Sequence, residues 1–436
     1  MHGEASAPRP AVDALPARAF PASGFAAVAF LGVVAGVQMS DRGLNAMLSP
    51  AIRETFQVGD AVIGSLHGIA GILVASALAV PLARLADRHP RRNILIGLIL
   101  GWMALTLLGA LAPNFPLFFI GRAASGVTEF AMIPIVYSLI PDLVGERWRL
   151  DANLTFAALM AIGASAGFYL GGNLLAFATG LDLPLLAQIA PWRRALLLLS
   201  LAGLPLALAG LALREPARGA LDPAGDGDAA VQTLAAFVVQ RRGEIGLFLG
   251  AAGGLAVAVQ ALTPMAAMGV VRRFGADLET VGHGLGVVTL VTSLSALPLA
   301  GAIDRALQKR LGRRTRPAVM MVMALLAIPC ALALSAAGST NAAIALIGGF
   351  LIATSIGAAL IPTLLQDLAP AALRARAFAA YSFVIAAFCA LGPLLSGVIS
   401  DHITGGDLML AMALASAPAL GVAAISAGLN LARRGA

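Results

Sequence analysis

Charge is scarce in this sequence. Only 12% of its 436 residues are charged and 59% are hydrophobic, and the mean hydropathy is +0.89. A soluble domain carries about 25% charged residues, so too few polar groups are present to cover a water-facing surface. Apolar runs recur instead, at about the 20 residues that cross ~30 Å of hydrocarbon. The composition excludes a soluble protein and predicts an all-α membrane protein, because backbone groups exposed to lipid must form hydrogen bonds within their own segment.

Cysteine, lysine and histidine are also rare. Cys330 and Cys389 fall inside apolar runs and are interpreted as small core residues rather than as a disulfide. Lys309 is the single lysine among 29 basic residues, an arginine bias that we interpret as the base composition of a bacterial genome. The five histidines do not cluster, and no zinc, acyl-transfer or ATP-binding motif occurs. We therefore expect no enzyme, no cofactor and no metal site.

The net charge of +7 could indicate a nucleic-acid partner. The basic residues, however, are distributed over short loops between apolar runs and do not form one polar face. We therefore expect no nucleic acid among the partners.

The apolar runs divide into two sets of six. Twelve transmembrane helices are predicted at 22–49, 61–84, 93–112, 115–139, 151–178, 192–213, 244–270, 280–303, 317–337, 341–365, 372–400 and 407–432. Residues 1–21 are expected to form a cytoplasmic tail. A charged stretch with Gly and Pro, 214–243, is expected to be a cytoplasmic linker between an N-terminal bundle at 22–213 and a C-terminal bundle at 244–433.

The placement of arginine predicts the orientation. Most basic residues lie in the tails, the linker and the loops after the second, fourth, eighth and tenth runs. The other side holds Arg53, Arg193, Arg194, Arg272 and Arg273. Cytoplasmic loops of membrane proteins are enriched in Arg and Lys, so both termini are expected in the cytoplasm, with the chain in the cell (inner) membrane.

The two halves echo each other. Asp87-Arg88 follows the second run, as Asp304-Arg305 follows the eighth. Asp142-Leu143 follows the fourth, as Asp367-Leu368 follows the tenth. Matched landmarks at equivalent points predict a duplicated architecture of two pseudo-symmetric six-helix bundles.

The loop after the second run, Arg84-Leu-Ala-Asp-Arg-His-Pro-Arg-Arg92, resembles the signature of the major facilitator superfamily, although Ala83 and Pro90 stand where glycines are usual. The resemblance implies the major facilitator fold. It also implies gating roles, and we assign these to Asp87, Arg88, Arg91 and, by the echo, Asp304 and Arg305. The alternative is that the arginines only anchor the topology.

A narrower resemblance lies in the first and fourth runs. Asp41-Arg42 in the first run, and Gly121-Arg122 through Val127-Thr128-Glu129 in the fourth, are similar to the spinster-like branch of the superfamily. That branch exports or redistributes lysolipids and sphingoid phosphates. Thr128 and Phe130 depart from the small residues usual beside the glutamate, which leaves the width of the cavity open.

Asp41, Arg42, Arg122 and Glu129 carry charge inside the bilayer, where each ion costs about 2.5–3.5 kcal/mol. They must therefore face an interior cavity and neutralise one another. Arg122 and Glu129 are separated by two helical turns, about 10 Å along one face. We expect Glu129 and Asp41 to accept protons, and Arg42 and Arg122 to hold a phosphate or carboxylate. A purely structural salt-bridge cluster is the alternative.

Leu, Met, Phe and Ala dominate the second half, which is expected to present an apolar wall to the cavity. A charged half facing an apolar half suits an amphiphile. The sequence thus favours a monomeric, proton-linked secondary transporter with alternating access for a lysophospholipid or sphingoid phosphate, in contact with membrane lipids. Efflux of hydrophobic drugs and transport of small organic anions are the alternatives, ahead of a channel or an intramembrane enzyme.

Overall fold

A computed structural model describes residues 22–145, 148–181, 188–215, 234–369 and 373–433. Helices are the regular structure of these residues, and they form twelve rods in two groups of six. The predicted tail at 1–21 and most of the predicted linker at 214–243 lie outside the described residues, as does the side chain of Asp87. A short helix, Leu234–Gln240, precedes the second group.

The rods of the first group are α1 (Ala22–Phe56), α2 (60–88, formed by Asp60–Ser65, a π-helical segment Leu66–Val74 and Ala75–Arg88), α3 (Arg91–Ala110), α4 (Phe115–Leu143), α5 (Arg149–Gly180) and α6 (Pro191–Gly210). Those of the second are α7 (Arg242–Leu262 and Ala266–Phe274), α8 (Leu278–Leu311), α9 (Thr315–Ala333), α10 (Thr340–Leu368), α11 (Arg374–His402) and α12 (Leu408–Arg433).

Eleven helical stretches of the described chain are long and apolar enough to cross a membrane. One of them, Leu278–Ala336, contains both α8 and α9, which are separated by a 3-10 turn at Gly312–Arg314. Gly312 has a positive φ of 53° there, which glycine adopts without the strain that a side chain would cause. The predicted all-α membrane fold is confirmed, with one crossing per rod.

Local sequence explains several helix ends. Asn114 caps α4 by accepting a hydrogen bond from the Leu117 amide at 3.0 Å, and Asp277 caps α8 by accepting one from the Thr280 amide at 2.8 Å. Pro264 lies in the break between the two segments of α7, because proline cannot donate a backbone hydrogen bond within a helix.

The surface of the bundle is apolar. Large side chains such as Leu108, Ile120 and Leu297 are exposed around the rods, whereas Trp102 and Phe350 are fully buried within the two halves. An apolar belt of this kind suits lipid tails rather than water.

The ends of the rods form two faces. We call the face with the α1–α2, α7–α8 and α11–α12 loops the loop 1–2 face, and the opposite face, with the α2–α3 and α8–α9 loops, the loop 2–3 face. The halves meet along α5 and α8, where Ser165 Oγ donates to the Gly286 carbonyl at 2.7 Å and the Tyr169 ring stacks on His283 at 4.3 Å. They also meet along α2 and α11, so a central cavity lies between two seams.

Candidate functional site

A polar stripe runs along α1. Asp41, Asn45 and Ser49 follow one another at four-residue intervals, so they share one face of the helix, and all three are buried. Ser49 Oγ donates to the Asn45 carbonyl at 2.9 Å, and Asn45 Nδ2 donates to Asp41 Oδ1 at 2.7 Å. The stripe turns inward because polar groups left in hydrocarbon without partners are costly.

Asp41 is the anchor of this stripe. Arg122 Nη1 of α4 donates to Asp41 Oδ2 at 2.7 Å, and Trp102 Nε1 of α3 approaches the same oxygen at 3.4 Å. With Asn45 on Oδ1, both carboxylate oxygens are occupied, and the side chain is completely buried. Asp41 does not line the central cavity. Its carboxylate therefore orients Arg122 and is not available to a molecule in the cavity.

Arg42 and Glu129 form a second pair with unused capacity. Arg42 Nε donates to Glu129 Oε2 at 2.9 Å, and the guanidinium lies over the Phe130 ring at 4.4 Å. Glu129 Oε1 and Arg42 Nη2 are buried without a hydrogen-bond partner among the described residues. Buried polar atoms are almost always paired, so these two atoms point to a group that the site receives.

The pair opens onto a central cavity of about 190 Å³. Arg42, Arg122 and Glu129 line it from α1 and α4, and His67 lines it from the π-helical segment of α2. Apolar lining comes from Met39, Leu66, Ile72 and Phe168. The structure thus brings together all four charged residues singled out in the sequence, although only three of them reach the cavity.

The second half presents a different wall from the one expected. Its lining residues are Gln260, Thr263 and Pro264 of α7, so the expectation of an apolar wall is wrong at this depth. Thr263 Oγ1 is buried without a partner among the described residues. From the sequence, Gln260 and Thr263 could equally line the cavity or form hydrogen bonds between helices, and composition averaged over whole spans outweighed them. Both lie at or beside the break in α7 that contains Pro264.

At the loop 1–2 face, Asp60 ties the two halves together. Its Oδ1 accepts hydrogen bonds from Arg53 Nε at 2.8 Å and from Arg272 Nη2 at 2.7 Å. Its Oδ2 accepts from Arg272 Nη1 and from Ser400 Oγ, both at 2.6 Å. Asp60 is fully buried, so its charge depends entirely on these partners.

Asp401 adds a second link at this face. Its carboxylate, at the end of α11, accepts hydrogen bonds from the backbone amides of Asp60 and Ala61 at 3.0 and 2.8 Å. A residue of the second half thereby caps the first turn of α2, where backbone N–H groups lack helical partners. The roles of Asp60 and Asp401 were not predicted from the sequence, because both residues lie at the edges of spans, where charged residues are ordinarily solvated.

Below this cluster, α2 and α11 are in close contact. Gly64 and Gly68 of α2 pack against the backbone of Pro393 and Ala390, and Gly397 of α11 packs against the backbone of Asp60. A Cβ at any of these three glycines would collide with main-chain atoms. The halves are therefore closed against each other from the loop 1–2 face down to the cavity.

The predicted gating residues lie at the opposite, loop 2–3 face. Arg91 is buried and donates to Asp142 Oδ2 at 2.7 Å and to the Ser138 carbonyl at 2.9 Å, with Glu215 at 3.5 Å. Asp142 belongs to the same half as Arg91, and Glu215 lies at the start of the predicted linker. Arg88 is exposed.

The second half repeats this network with a different arginine. Arg316 lies 3.5 Å from Asp304 and donates to Asp367 at 2.6 Å, whereas Arg305, which the sequence echo singled out, is exposed. Arg316 takes the position of Arg91 because each stands near the start of the rod that follows the loop. Within the described residues, no ion pair joins the halves at this face, and the gating roles stay a prediction.

The chain is similar to known membrane transporters. The model of the Major Facilitator Superfamily matches residues 29–393. The chain is 27% identical over 428 residues to an MFS-type efflux pump of Mycolicibacterium smegmatis, covering 96% of this chain and 94% of the relative. It is 23% identical over 286 residues to protein spinster of Drosophila melanogaster, covering 63% of this chain and 44% of that relative.

Solved structures show the same fold. A bacterial homologue of the human lysosomal transporter spinster, in an inward-facing and unoccupied conformation, superposes with a TM-score of 0.76 at 20% identity, covering 95% of this chain and 96% of the other. The nucleoside transporter NupG superposes with a TM-score of 0.68 at 13% identity, covering 94% and 98%. The resemblance to the spinster-like branch is confirmed, and the chain belongs to the Major Facilitator Superfamily, a family of membrane transporters rather than enzymes.

Proposed function

We propose that this transporter moves an amphiphilic, lipid-like substrate, a lysophospholipid or sphingoid phosphate, by proton-linked alternating access. The observation that carries the proposal is the Arg42–Glu129 pair at the wall of the central cavity, whose buried Nη2 and Oε1 atoms have no hydrogen-bond partner in the described segments. The proposed transporter acts as a monomer in a bacterial inner membrane.

The arginines support one orientation of the chain in the membrane. The loop 2–3 face carries Arg88, Arg92, Arg310, Arg313 and Arg314 around short loops, which supports a cytoplasmic position for this face and for both termini. The closed loop 1–2 face is then external. The described conformation accordingly corresponds to an inward-facing state, as in the superposed spinster homologue.

The cavity supports an anionic headgroup. Arg42 Nη2 has no hydrogen-bond partner in the part of the chain that the structure describes, and Arg122 lines the same cavity. Planar guanidinium groups bind phosphate or carboxylate with paired hydrogen bonds. A volume of about 190 Å³ is smaller than the ~300–1,000 Å³ of pockets that enclose drug-sized ligands. It suits a headgroup better than a whole lipid, and Leu66, Ile72 and Phe168 would meet the first carbons of the tail.

Charge balance supports the proton link. When an anionic headgroup takes Arg42, Glu129 loses its partner and becomes an unpaired carboxylate in the bilayer interior, which is costly. A proton, or a cationic group of the substrate, restores neutrality. Asp41 differs, because Arg122 and Asn45 continue to occupy it. We therefore assign proton exchange to Glu129 and a positioning role to Asp41.

The proposal is tested by transport in liposomes that contain purified protein, with fluorescent lysophosphatidylcholine or sphingosine phosphate as substrate. A pH gradient should change the wild-type rate severalfold, and Glu129→Gln should abolish that response. Glu54→Gln is the matched control, because Glu54 is an exposed glutamate near the end of α1 and does not line the central cavity. A Glu129→Gln protein that kept both the wild-type rate and its pH response would refute the proton link, and absence of lipid transport by wild type would refute the substrate class.

Efflux of hydrophobic drugs is the second candidate. It is favoured by one observation, the relative that matches 96% of the chain and is an efflux pump. Transport in the same liposomes distinguishes drug efflux from lipid transport. A drug pump accumulates hydrophobic dyes, and lysolipids do not compete with them. A lipid transporter moves lysolipids, and the dyes do not compete.

A further inference from the structure

We propose that His67 is a specificity-determining residue of the central cavity, with its Nδ1 atom accepting a hydrogen bond from the substrate. The inference deepens the proposed function and rests on the cavity being the substrate site. His67 lies in the π-helical segment of α2, lines the cavity and is partly exposed to it.

The hydrogen bonds around Ser49 fix the tautomer of the ring. Ser49 Oγ lies 2.9 Å from the Asn45 carbonyl and 2.8 Å from His67 Nε2. A hydroxyl has one hydrogen and two lone pairs. The carbonyl has no hydrogen to give, so the hydroxyl must donate to Asn45. Ser49 can then only accept from His67, which places the ring hydrogen on Nε2.

The other ring nitrogen is therefore an acceptor. In a neutral imidazole with hydrogen on Nε2, Nδ1 carries a lone pair. Nδ1 has no hydrogen-bond partner among the described residues, and it is absent from their buried, unpaired polar atoms, so the cavity reaches it. The stripe from Asp41 to Ser49 thus orients two groups at once, Arg122 through Asp41 and His67 through Ser49.

This arrangement defines the ligand chemistry. Arg42 and Arg122 donate hydrogen bonds to an anionic group, while Nδ1 of His67 requires a donor. A matching ligand carries a hydroxyl or ammonium group close to its phosphate or carboxylate. A simple alkyl phosphate satisfies the arginines but leaves Nδ1 without a partner, which weakens binding.

The first test measures the tautomer directly. Nitrogen-15 chemical shifts of the histidines in purified wild-type protein report which ring nitrogen carries hydrogen, and the signal that disappears in His67→Asn is that of His67. We expect hydrogen on Nε2 alone in wild type and a mixture of tautomers in Ser49→Ala. Hydrogen on Nδ1 in the wild-type protein, alone or on both nitrogens, would overturn the inference whatever the substrate.

The second test uses two variants that separate the ring atoms. Asn places an amide oxygen near the position of Nδ1 but gives up the contact with Ser49, whereas Gln reaches Ser49 and leaves the Nδ1 position empty. The probes are 1-acyl-glycerol 3-phosphate, with its free hydroxyl, and its 2-O-methyl analogue. Wild type and His67→Asn should bind the probe with the free hydroxyl about tenfold more tightly than its 2-O-methyl analogue. His67→Gln should bind the two probes with equal affinity.

The outcomes distinguish the two levels of the proposal. The recognition role would be overturned if His67→Gln kept the wild-type preference for the hydroxyl probe over its methyl analogue. It would also be overturned if only His67→Asn lost that preference, because the ring would then act through its contact with Ser49 on α1. If wild type bound neither probe, the proposed substrate class would fall and the recognition role of His67 with it. The nitrogen-15 shifts would then still establish whether the ring presents an acceptor to the cavity.

Discussion

The carboxylate of Asp60, in the first half, accepts two hydrogen bonds from the guanidinium of Arg272, in the second half, at 2.6 and 2.7 Å. Hydrogen bonding to Asp60 also raises the pKa of Arg272 above its ordinary value, so the pairing further favours the charged form of the guanidinium. Among the described residues, this is the ion pair that joins the first half of the chain to the second. The loop 1–2 face therefore cannot open without leaving Asp60 partly unsatisfied.

Asp60→Asn should shift the protein away from the described conformation. Hydrogen bonds to charged groups are worth about 1.5–3 kcal/mol, and the substitution weakens several of them together. Spin labels at Glu54 and His402, both exposed at this face, would report a longer or broader distance. Asp407→Asn is the control, since Asp407 pairs with Arg273 inside the second half. An unchanged distance in Asp60→Asn would show that the pair does not hold the face closed.

Gly68→Ala should act in the same direction through packing. A Cβ at Gly68 would collide with the Ala390 carbonyl of α11, so α2 and α11 must separate to accommodate it. The same pair of spin labels measures the separation. Gly97→Ala provides the control because no atom lies within 4 Å of the added methyl group. Equal distance distributions in the two variants would contradict the close packing of α2 on α11.

Asp41→Asn should reduce both stability and substrate binding. Removing the charge leaves Arg122 with its cation buried and its closest anion gone, a change that costs about 3–5 kcal/mol where no other partner takes over. Trp102→Phe removes the longer contact, at 3.4 Å, and part of a fully buried ring, and should cost about 1–2 kcal/mol, less than Asp41→Asn. Thermal unfolding in detergent and equilibrium binding of a lysophospholipid measure the two effects. A larger loss in Trp102→Phe than in Asp41→Asn would contradict the anchoring role of Asp41.

Arg91→Ala and Arg88→Ala should differ sharply in stability. Arg91 is buried, and its loss leaves Asp142 without the guanidinium at 2.7 Å, a cost of about 3–5 kcal/mol. Arg88 is exposed, and its loss should change stability by less than about 0.5 kcal/mol. Thermal unfolding gives the first comparison. A loss of transport in Arg88→Ala without a loss of stability would support the gating role predicted from the sequence, and no change in either property would leave Arg88 as a topology anchor.

The sequence predicted the twelve crossings because each requires a long apolar run, and such runs are hard to mistake. It did not predict where helices end. The first run ends at residue 49, yet α1 continues to Phe56, because a helix does not stop where the hydrocarbon stops. The π-helical segment Leu66–Val74 was equally invisible, since its composition is that of any apolar helix.

For the site, the four charges within the spans were informative because ions in lipid are rare and must find partners. Spacing alone could not show which arginine pairs with which carboxylate, so both Asp41 and Glu129 were expected to accept protons. Asp60 was missed because it stands where a span begins. Arg316 was missed because α8 continues beyond Asp304 to Leu311, so the Asp-Arg spacing of the first half does not recur in the second.

The π-helical segment of α2 has a consequence for how ligand occupancy reaches the closed face. Within nine residues it carries His67 and Gly71, which line the cavity, and Gly68, which touches α11. A π-helix has wider turns than an α-helix, is rare, and is frequently found at functional sites. A ligand that binds His67 therefore contacts the same helical turns that pack against α11. We therefore expect occupancy of the cavity and separation of α2 from α11 to be coupled through this one segment.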